Sequence, residues 1–374
     1  MRRGGGIFTH KALRWLVFIY LAVILYCESF CYIVIPWTPS WRLGVLEIVY
    51  PHLRLHDWGS SATDSRKTLR ILFVADPQIQ GLENEPAGLL GALTRWDADR
   101  YLSKTYLRTV QHVHPHLIVF LGDLLDEGSI TTNEETYDAY ARRFHGIFPS
   151  GNAKVVYVPG DNDIGGEGEA ITADKVERFR QHFQSDASGF WDSSTRLVEA
   201  SGLVKPTVLT PEGNATKRTH TIFFSHVPFL QSFLDQDMKQ VIEELKPNLI
   251  ISAHDHKASA AQRPYPDHSS SGTLPSHLSD FTVFELSSNP AAMQEVVVPT
   301  CSYRMGVPRM GYGVAIVDLT TNRLFYTVLW LPPRYPHLYI EGAATIILVA
   351  CFVFVLIAKQ ILSNSRKIKV RFNV

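Results

Sequence analysis

The clearest structural signal in the chain is Leu117-Ile118-Val119-Phe120-Leu121-Gly122-Asp123-Leu124-Leu125-Asp126-Glu127-Gly128. Its first five residues are branched or aromatic apolar residues, and such a run is typical of a buried strand. The run ends at Gly122, and two carboxylates, Asp123 and Asp126, follow at once. Because open α/β sheets bind their ligands at the carboxyl ends of their strands, Asp123 is a candidate ligand-binding residue. A turn in which Asp123 only caps a helix is the alternative.

The same pattern recurs at four other places in the chain. Each is an apolar run of strand length, followed by side chains that can bind a metal ion. The four endings are Asp76-Pro77-Gln78 after residues 69–75, Gly160-Asp161-Asn162-Asp163 after residues 155–158, Ser225-His226 after residues 221–224, and His254-Asp255-His256 after residues 249–252. Five such endings in one chain favour a shared site over five unrelated turns.

Length and composition allow a large domain and set aside one class of partner. The chain has 374 residues, 45% of them hydrophobic, which is enough for one large domain or two small ones. Lys plus Arg equals Asp plus Glu at 36 each, so no global field indicates a nucleic-acid partner. The four cysteines do not form the pattern of a disulfide framework.

Both ends of the chain carry apolar segments that are long enough to cross a bilayer. Leu13 to Ile35 is mostly apolar and follows basic residues, whereas Leu338 to Ala358 is a cleaner apolar run that basic residues follow. These basic flanks predict that both termini are cytoplasmic and that the part between the spans is lumenal or extracellular. A cleaved signal peptide is the alternative for the first segment, but a clear small-x-small cleavage site is missing.

The two spans divide the chain into five predicted parts. Asn214-Ala215-Thr216 is a glycosylation acceptor between the spans, which agrees with a lumenal position. Trp37, Trp41 and Trp58 either rest at the membrane interface or pack on the domain. The parts are a cytoplasmic N-terminus with the first transmembrane helix (1–36), a lumenal linker (37–67), a globular domain (68–335), a second transmembrane helix (338–358) and a basic cytoplasmic tail (359–374).

The order of secondary-structure patterns predicts an α/β fold. Strands alternate with helical patterns up to about residue 256, and a run of shorter strands follows. A helix is predicted over Trp96 to Val113, after a polar loop, and Lys257 to Leu278 is expected to be a mobile surface loop because it is rich in Ser, Pro and His. This order predicts two sheets packed together with helices outside.

The residues at the strand ends predict a centre with two metal ions. Such a pair needs one shared anionic ligand and several flanking oxygens and imidazoles. Asp123 is expected to bridge the ions, with Asp76 and His256 on one side and His226 and His254 on the other. Mixed carboxylate and imidazole ligands suit manganese, iron or zinc.

The order of the five motifs resembles the signature of the calcineurin-like metallophosphoesterases. That signature runs Asp-x-His/Gln, Gly-Asp-x-x-Asp, Gly-Asn-His-Asp/Glu, His and Gly-His-x-His, and the resemblance covers residues 69–330. It implies a four-layer sandwich of two mixed sheets flanked by helices, and a phosphodiesterase that uses two divalent metal ions. It implies catalytic roles for Asp123 and Asn162, and as metal ligands it implies Asp76, Gln78, Asp123, Asp161, His226, His254 and His256.

Together with the two spans, three segments are similar to one membrane-bound branch of that family. The segments are residues 121–128, 163–165 and 299–304. Members of this branch remove ethanolamine phosphate from a mannose of glycosylphosphatidylinositol (GPI) glycans. The resemblance implies manganese, an endoplasmic reticulum or Golgi membrane, a GPI-anchored protein or glycolipid as substrate, and attack by a metal-bound hydroxide.

Three positions depart from the family pattern. Gln78 stands where a ligand histidine is usual, and Asp161 replaces a ligand asparagine. Asn162 replaces the histidine that is thought to protonate the leaving group, and an amide has no useful proton at physiological pH. The alternative functions are therefore a catalytically weak or inactive metal-binding scaffold or receptor for GPI-anchored cargo, or a phosphoesterase for another phospholipid or phosphoprotein.

Overall fold

The computed structural model divides the chain into two compact units, which are described separately. Unit 1 is Met1–Ile35 with Pro332–Val374, and unit 2 is Pro36–Leu331. Asn214, Trp37 and Trp58 lie outside the described residues, so what the sequence predicts for them stays a prediction. The described residues are 4–35, 41–44, 46, 50, 68–131, 133–187, 195–199, 201–204, 207–209, 220–230, 236–264, 282–287 and 290–371.

The helices and strands have the following bounds in chain order. The helices are α1 (Gly4–Leu25), α2 (Cys31–Val34), α3 (Gly88–Val113), α4 (Glu134–Ile147), α5 (Asp161–Ile164), α6 (Ala173–His182), α7 (Gln236–Leu245) and α8 (Arg334–Arg371). The strands are β1 (Thr68–Val74), β2 (Leu117–Leu121), β3 (Lys154–Val158), β4 (Thr195–Glu199), β5 (Thr207–Val208), β6 (His220–Phe224), β7 (Leu249–Ser252), β8 (Ser259–Pro264), β9 (Thr282–Glu285), β10 (Ala292–Val297), β11 (Gly311–Asp318) and β12 (Arg323–Trp330).

The strands of unit 2 form two mixed sheets over the described residues. The first has the order β3-β2-β1-β11-β12-β9, and the second has the order β5-β4-β6-β7-β10-β8. In the first sheet β1, β2 and β3 are parallel, whereas β11, β12 and β9 are antiparallel. In the second sheet β4, β6, β7 and β10 are parallel, and β5 and β8 are antiparallel edge strands. Parallel strands next to each other bring their carboxyl ends to one edge of each sheet.

The core of unit 2 lies between the two sheets, and helices cover their outer faces. Phe73 of β1 contacts Phe224 of β6 at 6.0 Å between ring centroids, within one cluster of buried residues from both sheets. On the other face of the first sheet, Phe120 packs against Tyr106 of α3 and Phe144 of α4. On the second sheet, Ile242 of α7 joins a separate cluster of buried residues. The predicted α/β fold with two packed mixed sheets and helices outside is confirmed.

Two predicted element boundaries are wrong. Helix α3 begins at Gly88 rather than at Trp96. Gly91 lets the first turn lie against Pro86, because a Cβ on residue 91 would be 1.9 Å from the Pro86 carbonyl oxygen. Part of the predicted mobile loop from Lys257 to Leu278 is strand β8, which pairs antiparallel with β10. Pairing with a distant strand fixes the conformation of β8, and local composition does not reveal it.

Part of the predicted linker packs on the domain. Trp41 is fully buried, its indole Nε1 donates a hydrogen bond to the Trp330 carbonyl oxygen at 2.9 Å, and its own carbonyl accepts one from His112 Nε2 at 2.6 Å. Tyr50 packs on Phe325 with 4.7 Å between ring centroids. For Trp41 the structure therefore favours packing on the domain, and the domain boundaries themselves stay predictions.

Unit 1 contains two long apolar helical segments. By length and composition alone, Lys11–Val34 and Arg334–Ile361 are candidate membrane spans, and they overlap the two predicted spans. The first continues from α1 through a π-helical turn (Tyr26–Phe30) into α2, and the second belongs to α8. Within this unit, Arg334 forms an ion pair with Glu28 at 2.6 Å. The orientation and the organelle stay predictions.

Candidate metal centre

The five predicted strand endings come together at one place in unit 2. Asp76, Asp123 and Asp161 follow the parallel strands β1, β2 and β3, and His226, His254 and His256 follow the parallel strands β6 and β7. These six side chains form two groups of three. Within each group, the candidate ligand atoms lie within 4.8 Å of one another. The first group is Asp76, Asp123 and His256, and the second group is Asp161, His226 and His254.

The backbone of this site adopts an uncommon conformation. Positive φ angles are unfavourable for residues other than glycine and tend to occur at functional sites. Of the eight described non-glycine residues with positive φ, five belong to the strand-end motifs: Asp76, Gln78, Asp123, His254 and His256. The fold therefore holds these side chains in place against a local backbone preference.

Two glycines allow the strand endings to approach each other. A Cβ on Gly122, whose φ is +93°, would lie 2.4 Å from His226 Nδ1. A Cβ on Gly160 would lie 2.2 Å from the Asp123 side-chain oxygen Oδ1. Because contacts this short are impossible, both positions require glycine for Asp123 and His226 to reach the site.

The first group is a pair of buried carboxylates with one imidazole. Asp76 and Asp123 are 0% and 2% exposed, and Asp76 Oδ2 is buried without a hydrogen-bond partner among the described residues. Burial, together with the negative charge of Asp123, raises the pKa of Asp76 to about 8, although His226 and His254 oppose the shift. A buried carboxylate oxygen without a partner is what a metal ion would satisfy.

The second group places ring nitrogens against a carboxylate. His226 Nδ1 lies 2.9 Å from the Leu121 carbonyl oxygen, which can only accept, so the Nδ1 proton is donated there and Nε2 faces the site. His226 Nε2 lies 2.8 Å from Asp161 Oδ1 and 3.2 Å from His254 Nδ1. Burial alone would lower the pKa of His226, but Asp123, Asp161 and Asp76 raise it to about 10. The carboxylates around His226 therefore favour a positive charge at this place, which a proton supplies here and which a bound metal ion would supply instead.

Asp123 lies between the two groups. Its Oδ1 is 3.4 Å from His226 Nε2 of the second group, and it belongs by its own contacts to the first group. Its Oδ1 accepts the backbone N–H of Asn162 at 3.0 Å, and its Oδ2 accepts from Gln78 Nε2 at 2.8 Å and from Asn162 Nδ2 at 3.0 Å. These contacts make Asp123 the candidate for a carboxylate shared by two ions, and that role stays a prediction.

Gln78 and Asn162 face the same carboxylate. Gln78 Nε2 also lies 3.3 Å from His256 Nε2, so a ligand role for Gln78 requires its amide to turn and present Oε1 instead. The Asn162 amide donates to Asp123 and supplies no acid group. The predicted ligand role of Gln78 and the predicted catalytic role of Asn162 stay predictions.

Two further residues, Asp163 and Arg304, hold the site together, and the sequence did not reveal their roles. Asp163 accepts backbone N–H groups from Leu124, Leu125 and Gly160 at 2.9 to 3.2 Å, and burial together with Asp123 raises its pKa to about 7. Arg304 donates to the Gln78 carbonyl oxygen at 3.3 Å and to Asp126 Oδ2 at 3.2 Å. It also pairs with Glu85. Asp126 is therefore committed to Arg304 and lies outside both ligand groups.

The donors present fit two divalent ions. The first group offers two carboxylates and one imidazole, and the second group offers one carboxylate and two imidazoles. Mixed oxygen and nitrogen donors of this kind suit first-row transition metals. Divalent cations held by these residues would satisfy the orphaned Oδ2 of Asp76 and the facing ring nitrogens of the second group.

Residues 69–258, about half of the chain, match the sequence model of the calcineurin-like phosphoesterases. The chain belongs to this family. Calcineurin-like phosphoesterases bind a dimetal centre and hydrolyse phosphoesters, and the domain carries candidate ligands for such a centre. The family resemblance that the motifs indicated is confirmed at this level, and the GPI-directed branch stays a prediction.

This chain spans only part of the length of the proteins to which its sequence is similar. Metallophosphoesterase 1 of Danio rerio is 30% identical over 170 residues, which is 45% of this chain and 38% of that protein. Cell division control protein 1 of Saccharomyces cerevisiae is 24% identical over 277 residues, which is 68% of this chain and 55% of that protein. A solved dimetal phosphatase from Danio rerio is 13% identical with a TM-score of 0.36, covering 66% of this chain and 92% of that chain.

Proposed function

We propose that this chain is a dimetal phosphodiesterase that removes ethanolamine phosphate from a mannose of GPI glycans. The observation that carries the proposal is the pair of adjacent ligand groups, with Asp123 in contact with both. Two divalent ions, manganese in this proposal, would offset the charge of the phosphodiester. They would also lower the pKa of bound water toward neutral pH. Asp76, Asp123, Asp161, His226, His254 and His256 would hold them.

The chain's own residues fix the geometry of this centre. Asn162 and Gln78 hold the Asp123 carboxylate in one orientation by three hydrogen bonds. Asp163 fixes the backbone that follows Asp123, and the Leu121 carbonyl fixes the tautomer of His226. A preorganised site of this kind suits phosphoryl transfer, in which catalysis is mainly positioning and charge stabilisation.

The choice of substrate is supported by sequence similarity and by the candidate spans. Residues 121–128, 163–165 and 299–304 resemble the GPI-directed branch, and the third segment contains Arg304, which contacts the motif of Gln78. Two membrane spans would keep the domain near a lipid-anchored substrate and raise its effective concentration. The proposal includes an endoplasmic reticulum or Golgi membrane, a lumenal domain and cytoplasmic termini.

A second candidate function is a metal-binding scaffold for GPI-anchored cargo. Asn162 favours the scaffold, since the family pattern has at this position a histidine that protonates the leaving group. The Asn162 amide instead donates a hydrogen bond to Asp123. The six candidate ligands favour the enzyme, because a scaffold has no need of two complete ligand groups. Metal analysis of the purified protein separates the two, since the enzyme should retain two ions per chain.

The deciding experiment is mass spectrometry of GPI glycans from cells that lack this protein. The cells are rescued with the natural chain, with Asp123→Asn, or with Asp255→Asn as the matched control. Asp255 is exposed between His254 and His256 and belongs to neither ligand group. We expect an ethanolamine phosphate to persist in the null cells, and the natural chain and the control, but not Asp123→Asn, to remove it.

The other outcomes decide against the proposal in different ways. If Asp123→Asn rescues as well as the natural chain, metal chemistry is not the function and the scaffold is favoured. If the glycans are the same in null and rescued cells, the substrate is a different phosphoester.

A further inference from the structure

Most of the large apolar side chains that unit 2 exposes lie in one short stretch of the chain. Among its described residues, eight large hydrophobic side chains are exposed, and five of them lie within fifteen residues of the chain. We call these five the Leu/Trp patch. They are Leu82 at 52%, Leu89 at 87%, Leu90 at 60%, Leu93 at 56% and Trp96 at 57% exposure. Single exposed hydrophobic residues are normal, but a cluster marks an interaction surface.

Four residues of the patch lie on helix α3, and the fifth, Leu82, lies in the loop before that helix. Leu89, Leu93 and Trp96 are separated by four and three residues in α3, which places them on one side of the helix. Leu90 is three residues before Leu93 and extends the same side. The first two turns of α3 therefore present a continuous apolar stripe.

The patch is fixed to the metal centre through the loop that joins Gln78 to α3. Glu127 accepts the backbone N–H of Leu82 at 2.8 Å and of Asn84 at 2.7 Å. Arg304 contacts both Glu85 and the Gln78 carbonyl oxygen, and Gln80 Nε2 donates to Thr94 in α3 at 3.1 Å. Whatever the patch binds is therefore held at a set position relative to the site.

The charges of α3 favour a lipid surface as the occupant. Arg100 lies over the Trp96 ring, with its guanidinium carbon 5.2 Å from the ring centroid. Arg95 precedes Trp96, and Lys104 and Arg108 continue the helix on later turns. A helix with leucines and a tryptophan on one stripe and arginines and lysines beside it is typical of interfacial binding. Arginine can reach lipid phosphates while its stem stays on apolar surface.

We propose that the Leu/Trp patch inserts into the surface of a phospholipid bilayer. The proposal rests on the candidate spans of unit 1 bringing the domain to a membrane, and it adds a second, peripheral contact made by unit 2 itself. It deepens the proposed function and rests on it, because a patch connected to the metal centre by these contacts would hold that centre at the lipid surface where a glycolipid headgroup is found.

The test measures lipid contact directly, without any need for turnover. The full chain is reconstituted into phosphatidylcholine vesicles with an environment-sensitive fluorophore on Leu93→Cys, and a fraction of the lipid carries a nitroxide quencher near its headgroup. Arg142→Cys on α4, whose side chain is 70% exposed, is the matched control. Both labelled chains also carry Cys351→Ser, because Cys351 is partly exposed whereas Cys27, Cys31 and Cys301 are buried. The Cys351→Ser chain without a further cysteine is the blank.

We expect the label at position 93 to be quenched several-fold more than the label at position 142, and to emit at shorter wavelength. Equal quenching at both positions overturns the proposal. A second outcome also overturns the proposal. If the lipid does not quench the label at position 93, and the label is shielded from aqueous iodide only at high protein concentration, a second copy of the chain covers the patch.

A second measurement separates this proposal from the proposed function. Leu89→Ser with Leu93→Ser is compared with Val283→Ser, an exposed hydrophobic residue on β9 that is outside the patch. Hydrolysis of a vesicle-borne phosphodiester should fall several-fold in the double variant, and hydrolysis of bis(p-nitrophenyl) phosphate should not change. An equal fall on both substrates overturns the docking role. If neither substrate is hydrolysed by the natural chain, the enzyme proposal fails and the quenching result still decides the lipid contact.

Discussion

The two ligand groups of the metal centre differ in charge and in burial. Asp76 and Asp123 give the first group two carboxylates that are almost completely buried, and burial raises the pKa of both. The second group has one carboxylate, Asp161, and burial alone would raise its pKa. Hydrogen bonds from His226 and His254 instead hold that pKa below its usual range.

Because of this difference, the two groups are not interchangeable. When deprotonated, the first group carries two negative charges and one imidazole, and the second carries one negative charge and two imidazoles. The first therefore binds a hard divalent ion mainly by charge, and the second relies more on nitrogen donors, which favour later transition metals. Asp123 contacts both groups and should couple them.

The largest effect is expected when Asp123, the carboxylate that contacts both groups, is changed. Asp123→Asn keeps the shape of the side chain but removes the charge that would offset two ions. We expect phosphodiester hydrolysis to fall about 1,000-fold or more, since metal charge stabilisation is worth several kcal/mol and each 1.4 kcal/mol is tenfold. Metal content by mass spectrometry should fall below two ions per chain. A variant that keeps two ions and full activity contradicts the shared role.

The comparison is sharpened by removing one imidazole from each group. His256→Ala affects the first group and His254→Ala the second, and each should leave one tightly bound ion where the natural chain holds two. We expect activity to fall about 100-fold in each, since one ion cannot hold both the attacking and leaving oxygens. In the manganese-loaded protein, the electron paramagnetic resonance signal of a coupled pair should give way to that of a single ion. Loss of both ions from either variant would show that the two groups form one site.

Asn162 tests whether the centre lacks only a proton donor. Asn162→His restores the residue type of the family pattern, and we expect turnover to rise by about 10- to 100-fold, because general acid catalysis is typically worth 100-fold or more. Asn162→Gln is the control that changes size without supplying an acid. A loss in Asn162→His would show that position 162 acts by holding Asp123. An equal gain in both variants would show that the gain does not come from a proton donor.

The strand endings were predictable because their signal is local. At residues 117–123 an apolar run, a glycine and an aspartate stand together, so strand, turn and ligand can be read from neighbouring residues. The pairing of Asp76 with His256, and of His226 with His254, agrees with the expectation from the chemistry that two ions require. The sequence assigned Asp161 to neither side, and the ligand roles themselves stay predictions. The contacts of β8 with β10 and of Trp41 with Trp330 could not be predicted, since they join residues that are distant in sequence and have no local pattern of their own.

Arg304 shows the same limit inside the site. It lies 226 positions from Gln78 in sequence, and its neighbours form a short helical turn without any metal-binding pattern. The only signal was the similarity of residues 299–304 to the GPI-directed branch. Its function follows from three contacts, with the Gln78 carbonyl oxygen, Asp126 and Glu85, and such contacts are visible only in the folded chain.

The smallest effect is therefore expected for Arg304, a positioning residue beside the first group. Arg304→Lys keeps the charge but loses the planar fork that reaches three partners at once. We expect the affinity for manganese and the activity to fall about tenfold, as is typical when a group that orients ligands is changed. Arg309→Lys, on an exposed arginine that stacks on Trp330, is the control. Isothermal titration should show the loss mainly in one of the two binding events, since Arg304 contacts the motif of Gln78 and Asp126 but neither imidazole of the second group. An equal loss in both events would mean that Arg304 supports the fold of the whole centre and that the two groups are less independent than their charges indicate.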